Sequence, residues 1–109
     1  MNIKEFINAI RSRPKMYVEE VRLDYIYYLV IGYLGCTLIN KSDCMTDQKF
    51  KSHFPNWLLV WVKENVDENY ESKSFFWYRI LRDVTKNESE AIELFFELCN
   101  KFFQEIDLK

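Results

Sequence analysis

Glycine and proline are scarce in this chain of 109 residues, which contains only two of each. Sandwiches and barrels with many tight turns usually need more of both, so their scarcity favours helices joined by few connections. The length suffices for one hydrophobic core but is short for two ordinary domains. We therefore predict an all-α protein, a single compact domain over residues 1–109 with about five helices.

The sequence also lacks the residue sets that most catalytic and metal sites require. His53 is the only histidine, and neither a Gly-rich phosphate loop nor a serine or cysteine elbow is present. The spacing of Cys36, Cys44 and His53 matches no familiar zinc site. We expect no enzyme activity, no metal and no cofactor. His53 is then a helix-surface residue, and Cys36 and Cys99 are buried small hydrophobic residues.

Long hydrophobic runs are absent as well. The longest uncharged stretch, Tyr25–Asn40, is shorter than the roughly 20 residues that a membrane-spanning helix needs. The N-terminal residues do not show the pattern of a secretory signal, and three cysteines without CxxC spacing suit reduced thiols. We therefore expect a cytoplasmic bacterial protein without a membrane partner.

Acidic residues are concentrated in the second half of the chain. The totals of 15 basic and 17 acidic residues give a net charge of −2, which argues against direct nucleic-acid binding. Residues 64–71 and 87–109 carry most of the acidic excess, and we predict that they form an acidic binding surface. Two alternatives are plain solubility and, for Glu93 and Glu97, a catalytic carboxylate pair. The candidate contacts are Glu64, Asp67, Glu68, Glu71, Glu90, Glu93 and Glu97.

Helical periodicity defines the first two helices. Apolar residues at i, i+3, i+4 and i+7 predict helix 1 at about Ile3–Ser12, and Pro14 should end it near Arg13. Helix 2 should run from about Leu23 to Ile39. Because it is apolar on almost every side, we expect it to be the central helix, surrounded by the others. Its glycines, Gly32 and Gly35, suggest a close helix crossing or a bend.

The connecting segments around these helices are predicted from their composition. Met16 and Tyr17 should pack the connection after helix 1 onto the central helix, and residues 40–47 should form a turn rich in serine and aspartate. Helical spacing then resumes at Phe50, Phe54, Trp57 or Leu58, and Trp61. Pro55 either starts this third helix or kinks one longer helix.

Two more helices follow a polar loop at residues 67–71. Ser72 or Ser74 is the predicted N-cap of the fourth helix, in which Phe76 and Ile80, together with Trp77 and Val84, should face inward. Asn87 and Glu90 have the spacing of a capping box at the start of the fifth helix. The inward stripe of that helix comprises Ile92, Phe95, Phe96, Cys99, Phe102, Phe103 and Ile106.

The segment "IRSRPKMYV" resembles a motif of the gyrase-type ATPases, but two glycines of that motif are Lys15 and Glu19 here. Those enzymes also need a magnesium-binding asparagine and a later DxGxG motif, which a chain with two glycines does not contain. The segment is therefore interpreted as the end of helix 1 and the connection that follows it.

The order of motifs along the chain resembles a family of small bacterial proteins, the immunity partners of contact-dependent growth-inhibition and related polymorphic toxins. The segments that carry the resemblance extend from about Phe6 to Phe103. They are "RPKMYV", "LDYIYYLVIGY", "FPNWLLVWV", "SKSFFWYRIL" and "EAIELFFELCNKFFQE". Lys15, and Phe75 after Ser74, replace glycines of the family pattern.

The resemblance implies an all-helical, non-enzymatic cytoplasmic protein that binds one toxin domain and blocks it. Secreted domains that attack nucleic acids are often basic, so an acidic surface suits a nuclease partner. On this hypothesis the free protein is a monomer or a weak dimer. The alternative is a helical adaptor or regulator, monomeric or homodimeric, that has no toxin partner and uses its many aromatic residues at an interface.

Overall fold

The computed structural model describes residues 2–39, 45–71 and 76–107, with side chains for all except 36–39 and 107. Within these ranges it contains five α-helices, one 3-10 helix and no strand, which confirms the all-α prediction. The helices are α1 (Ile3–Ser12), α2 (Leu23–Ile39), α3 (Met45–Asn65), α4 (Trp77–Asp83) and α5 (Glu88–Asp107), with the 3-10 helix at Pro14–Met16. None of them, as far as it is described, is both long and apolar enough to cross a membrane.

The chain divides into two compact units, Met1–Ser52 and His53–Lys109, and the boundary between them falls within α3. In the first unit α1 packs on α2, and in the second α4 packs on α5. That the whole chain is one domain stays a prediction.

Helix α1 has the predicted bounds. Its start carries a capping box that the sequence reasoning missed: Asn2 Oδ1 accepts the Glu5 N–H at 2.9 Å, and the Glu5 carboxylate accepts the Asn2 N–H. The helix ends before Pro14, and the buried side chains Ile3, Ile7 and Ile10 follow the predicted apolar stripe. Local sequence signals therefore suffice to define this helix.

The bounds of α2 are also confirmed, but it is not surrounded on every side. Leu23, Ile26, Tyr27, Val30 and Leu34 are buried, whereas Tyr25, Tyr28, Ile31 and Gly32 are exposed. Among the described residues there is no close crossing at Gly32 and Gly35, since none of their atoms would come within 4 Å of a Cβ atom added at either position. One side of this helix is therefore open.

The connection after α1 is held by residues other than those predicted. Met16 is exposed, which contradicts its predicted contact with α2, and Val18 is buried instead. The Tyr17 ring meets the edge of Phe6, and Phe6 stacks on Tyr33 of α2 with centroids 4.4 Å apart. Tyr17 thus contacts Phe6, which in turn stacks on α2.

Helix α3 begins earlier than predicted and continues through Pro55. The predicted turn at residues 40–47 is wrong for its last three residues, which are helical, and residues 40–44 lie outside the described part. The interpretation that Pro55 starts the helix is also wrong, because ten residues of α3 precede it. Proline lacks the amide that would bond to the Lys51 carbonyl, but burial on both sides of it outweighs this loss. The buried stripe is Phe50, Phe54, Leu58 and Val62, with Trp57 and Trp61 half-buried.

Helix α4 is short and begins at Trp77. Phe76 occupies the N-cap position without a side-chain cap and is exposed, so the prediction that Phe76 faces inward is wrong. Ser72 and Ser74, the predicted N-caps, lie outside the described residues. Trp77 and Ile80 are buried as predicted, and Val84 is half-buried.

The start of α5 confirms the Asn87 cap. Asn87 Oδ1 accepts the Glu90 N–H at 2.9 Å, but the Glu90 carboxylate accepts the Lys86 N–H in place of the Asn87 N–H. The predicted inward stripe is buried apart from Ile106, which is half-buried. The opposite side of α5 is therefore free to carry the acidic residues.

Candidate partner-binding surface

All seven predicted contact residues are exposed, and all lie in the unit His53–Lys109. They form two groups, one at the end of α3 and in the loop after it, the other along α5. The loop group is Glu64, Asp67, Glu68 and Glu71, and the α5 group is Glu90, Glu93 and Glu97. We call these seven residues together the acidic surface.

The loop after α3 has an ordered backbone. The N–H groups of Val66 and Asp67 both bond to the Val62 carbonyl, at 2.8 and 3.0 Å, which closes the end of the helix. Asp67 then folds the chain back, because its side chain accepts the Asn69 N–H and its carbonyl accepts the Tyr70 N–H, each at 3.0 Å. Such turns hold a loop without an apolar core of its own. The acidic residues of this loop are thus placed before any partner binds.

Two side-chain contacts connect the loop to the start of α5. The Tyr70 hydroxyl donates to Asp83 Oδ2 at 2.9 Å, at the end of α4. The adjacent residue, Arg82, makes two hydrogen bonds of 3.0 Å with the Glu88 carboxylate, at the first position of α5. Bidentate pairs of this kind fix orientation as well as distance. Tyr70 therefore fixes the loop to the end of α4, and Arg82 fixes α4 to the first turn of α5, which also contains Glu90.

The acidic residues of α5 extend away from that point. Glu90, Glu93 and Glu97 stand at i, i+3 and i+7 and share one face of the helix. A rise of about 1.5 Å per residue places Glu93 about 4.5 Å and Glu97 about 10.5 Å from Glu90 along the axis. Glu90, Glu93 and Glu97 thus form one acidic row along α5, and the loop group is connected to that helix through α4.

The basic side chains described in this unit form no ion pair with the acidic surface. Arg82 pairs with Glu88, and Lys101, four residues after Glu97, places its Nζ 6.0 Å from the centre of the Trp61 ring. Over the described ranges, none of the seven candidate carboxylates takes part in an ion pair. Their charge is therefore available to a cationic partner.

Exposed apolar residues accompany the acidic groups, and the sequence reasoning did not identify them. Val60, Val66 and Phe76 are exposed, and Val60 lies one helical turn before Glu64 on α3. The exposure of Val60 could have been predicted from the sequence, because Val60 falls outside the spacing of four residues that connects the buried Phe54, Leu58 and Val62. Apolar side chains bordered by charges are the usual composition of a protein interface.

An aromatic cluster supports the surface from inside the unit. Phe54 meets the rings of Trp77, Phe95 and Phe102 edge to face, and Trp77 stacks on Phe95 with centroids 4.7 Å apart. These contacts connect the second half of α3 with α4 and α5, and the Trp57 indole donates a hydrogen bond to Glu105. A packed scaffold of this kind reduces the entropy lost when its surface binds a partner.

The possible metal ligands in the described part of the chain are not grouped as a metal site requires. His53 is exposed, as predicted, and the described histidine, cysteine, aspartate and glutamate side chains form no group of three suited to a metal ion. No family model, curated protein or solved structure matches this chain.

Proposed function

We propose that this chain is a cytoplasmic immunity protein that binds the C-terminal domain of a secreted toxin, a basic nuclease, and inactivates it by stoichiometric occlusion. The observation that carries the proposal is the acidic surface, whose seven exposed carboxylates form no ion pairs with described residues. The ordered resemblance to immunity proteins supports the same role.

Electrostatic complementarity accounts for how such a protein would act. A nuclease must approach an anionic phosphate backbone, so its active cleft and the surface around it tend to be basic. Carboxylates at Glu64, Glu68, Glu93 and Glu97 would attract that surface over distance and accelerate association. Val66 is exposed between Glu64 and Glu68 in the sequence, and it would then be buried against the toxin and slow dissociation. No cofactor is required for this mode of inhibition.

Co-expression tests the proposal directly. The toxin domain encoded immediately upstream of this chain is produced in cells with and without the protein, and growth is measured. We expect growth only when the protein is present, together with a one-to-one complex of the two purified proteins. Equal cell death in both cultures would contradict the proposed function.

Charge reversal on α5 tests the surface itself. Glu93→Lys and Glu97→Lys each place a cation against a basic partner, and each should weaken toxin binding by about tenfold, mainly through slower association. Glu19→Lys is the matched control, because it changes the same charge at an exposed residue of the unit Met1–Ser52. The loss of toxin affinity in the two α5 variants should be smaller at high salt, where the Debye length falls below about 10 Å. Equal affinities of all three variants would remove α5 from the interface.

A helical adaptor without a toxin partner is the second candidate. The exposed Tyr25, Tyr28 and Ile31 on α2 favour it, since aromatic and aliphatic residues of this kind anchor protein interfaces. A stable dimer encoded without a neighbouring toxin gene would support this alternative. The identity of the upstream gene, together with the co-expression experiment, distinguishes the two candidates.

A further inference from the structure

The exposed side of α2 is a continuous apolar stripe. Tyr25, Tyr28 and Ile31 are 39%, 57% and 40% exposed, whereas Ile26 and Val30 on the opposite side are fully buried. Successive residues turn by about 100° around a helix, so the exposed positions fall within one side of it. Large apolar and aromatic side chains are thus exposed to solvent along about two turns of α2.

This stripe carries no charge, in contrast to the acidic surface. Tyr25 through Gly35 contains no acidic or basic residue, and Arg22, just before α2, is paired with Asp24 at 3.0 Å. Arg22 also lies over the Tyr25 ring, 4.8 Å from its centre. A complementary partner surface is therefore mainly neutral and apolar, unlike the basic surface proposed to meet the acidic surface.

The two glycines of the chain lie on the same side of α2. Apart from proline, glycine is the poorest helix former, so its use here needs a reason. Packing against described residues does not supply one, because a Cβ atom at Gly32 or Gly35 would have none of their atoms within 4 Å. The glycines leave two gaps in the stripe, next to the large tyrosines.

We propose that this stripe binds the same stripe of a second copy of the chain, with the two α2 helices antiparallel. The spacing of large and small residues is self-complementary in that orientation. If the two-fold axis passes at the level of Val30, Tyr28 of one copy lies opposite Gly32 of the other, and Tyr25 lies opposite Gly35. Residue 30 is the midpoint of both pairs in the sequence. A two-fold dimer requires such reciprocity, since each contact occurs twice. The tyrosine rings of one copy then fill the gaps left by the glycines of the other.

The dimer goes beyond the proposed function, because it forms without a toxin and uses none of the acidic residues. A single pair of helices buries less surface than a typical stable interface. Dimerisation is therefore reversible and depends on protein concentration. A failure of toxin neutralisation would leave the inferred dimer unaffected. Likewise, the absence of a dimer would leave the proposed function unaffected.

Sedimentation equilibrium from micromolar to millimolar concentration tests the self-association. We expect the average mass of the wild-type protein to rise towards that of two chains. Ile31→Asp buries a charge in the apolar interface and should raise the dimer dissociation constant at least about tenfold. Val60→Asp is the matched control, since Val60 is also an exposed, β-branched helical residue, and should leave the constant unchanged. A wild-type protein that stays monomeric, or equal effects of the two variants, would overturn the proposal.

Gly32→Leu separates the interface from folding. The added side chain meets no described atom within 4 Å of its Cβ and improves helix propensity, so the midpoint of thermal unfolding should rise at low concentration. The same side chain occupies the space of the partner's Tyr28 and should raise the dimer dissociation constant at least about tenfold. An unchanged constant would exclude this pairing. A monomeric wild type whose Gly32→Leu variant loses toxin affinity would instead assign the stripe to the toxin.

Discussion

Asp47 and Ile3 lie 44 positions apart in the sequence and are joined by a hydrogen bond of 2.6 Å, in which the Asp47 carboxylate accepts the Ile3 N–H. The first amides of a helix have no partner within it, and Ile3 is the first residue of α1. Asp47 is 2% exposed, and its second oxygen, Oδ2, has no hydrogen-bond partner among the described residues. This buried carboxylate thus joins the first turn of α3 to the start of α1.

Replacing Asp47 should test how much this bond contributes to stability. Asp47→Ala leaves the buried Ile3 amide without its acceptor, which should lower the free energy of unfolding by about 1–3 kcal/mol. Asp47→Asn keeps an oxygen that can accept the same hydrogen and should lose less. Urea denaturation of both variants measures the difference.

Gln48→Ala is the control for the Asp47 variants, because Gln48 is the neighbouring residue of α3 and is exposed. Its free energy of unfolding should stay within about 0.5 kcal/mol of the wild-type value. If Asp47→Ala were as stable as Gln48→Ala, the bond to Ile3 would contribute nothing measurable.

The Asn87 cap allows a second comparison within one helix. Asn87→Ala removes the acceptor of the Glu90 N–H and should lower the free energy of unfolding by about 1 kcal/mol. Asn100→Ala, on the exposed side of the same helix, should be neutral or slightly stabilising, because alanine is the better helix former. Equal effects in urea denaturation would mean that Asn87 does not stabilise α5 through its side chain.

Adjacent aromatic residues at the start of α4 test the orientation of that helix. Trp77 is buried and stacked on Phe95, so Trp77→Ala should lower the free energy of unfolding by about 3–5 kcal/mol. Phe76 is exposed, and Phe76→Ala should cost less than about 1 kcal/mol. Chemical denaturation followed by far-UV circular dichroism measures both. A large loss for Phe76→Ala would restore the orientation that the sequence predicted.

The elements predicted well are those set by local sequence. The bounds of α1 follow from four apolar residues and Pro14, and the bounds of α2 follow from a charge-free run. The start of α3 was missed because it depends on Asp47 and its distant partner Ile3. Pro55 indicates a helix start by local preference, yet packing on both sides of it maintains one helix.

The candidate surface could be predicted only in part for a similar reason. Exposure of carboxylates such as Glu93 follows from charge and helical spacing, and the structure confirms it. The contacts that connect the loop to α5, from Tyr70 to Asp83 and from Arg82 to Glu88, join side chains that no sequence pattern pairs. Periodicity could not decide which of Phe76 and Trp77 faces inward, because α4 has only seven residues.

Cys99 on α5 gives a prediction about pH. It is 1% exposed, and burial raises the pKa of its thiol well above the ordinary value of 9.0. The folded protein therefore retains the thiol proton at a pH where the unfolded chain releases it. The free energy of unfolding is therefore unaffected by this thiol at a pH below its pKa in the unfolded chain. It decreases as the pH rises above about 9, by up to about 1.4 kcal/mol per pH unit.

Comparison with Cys99→Ala isolates this effect from the titration of tyrosines, lysines and the other cysteines. The variant loses packing at every pH, so it should be less stable than the wild type near neutrality. Because it has no thiol to titrate at this position, its disadvantage should decrease as the pH rises above about 9. Urea denaturation of both proteins across this range measures the change. A constant difference would show that the folded protein accommodates the thiolate, contrary to the raised pKa that burial produces.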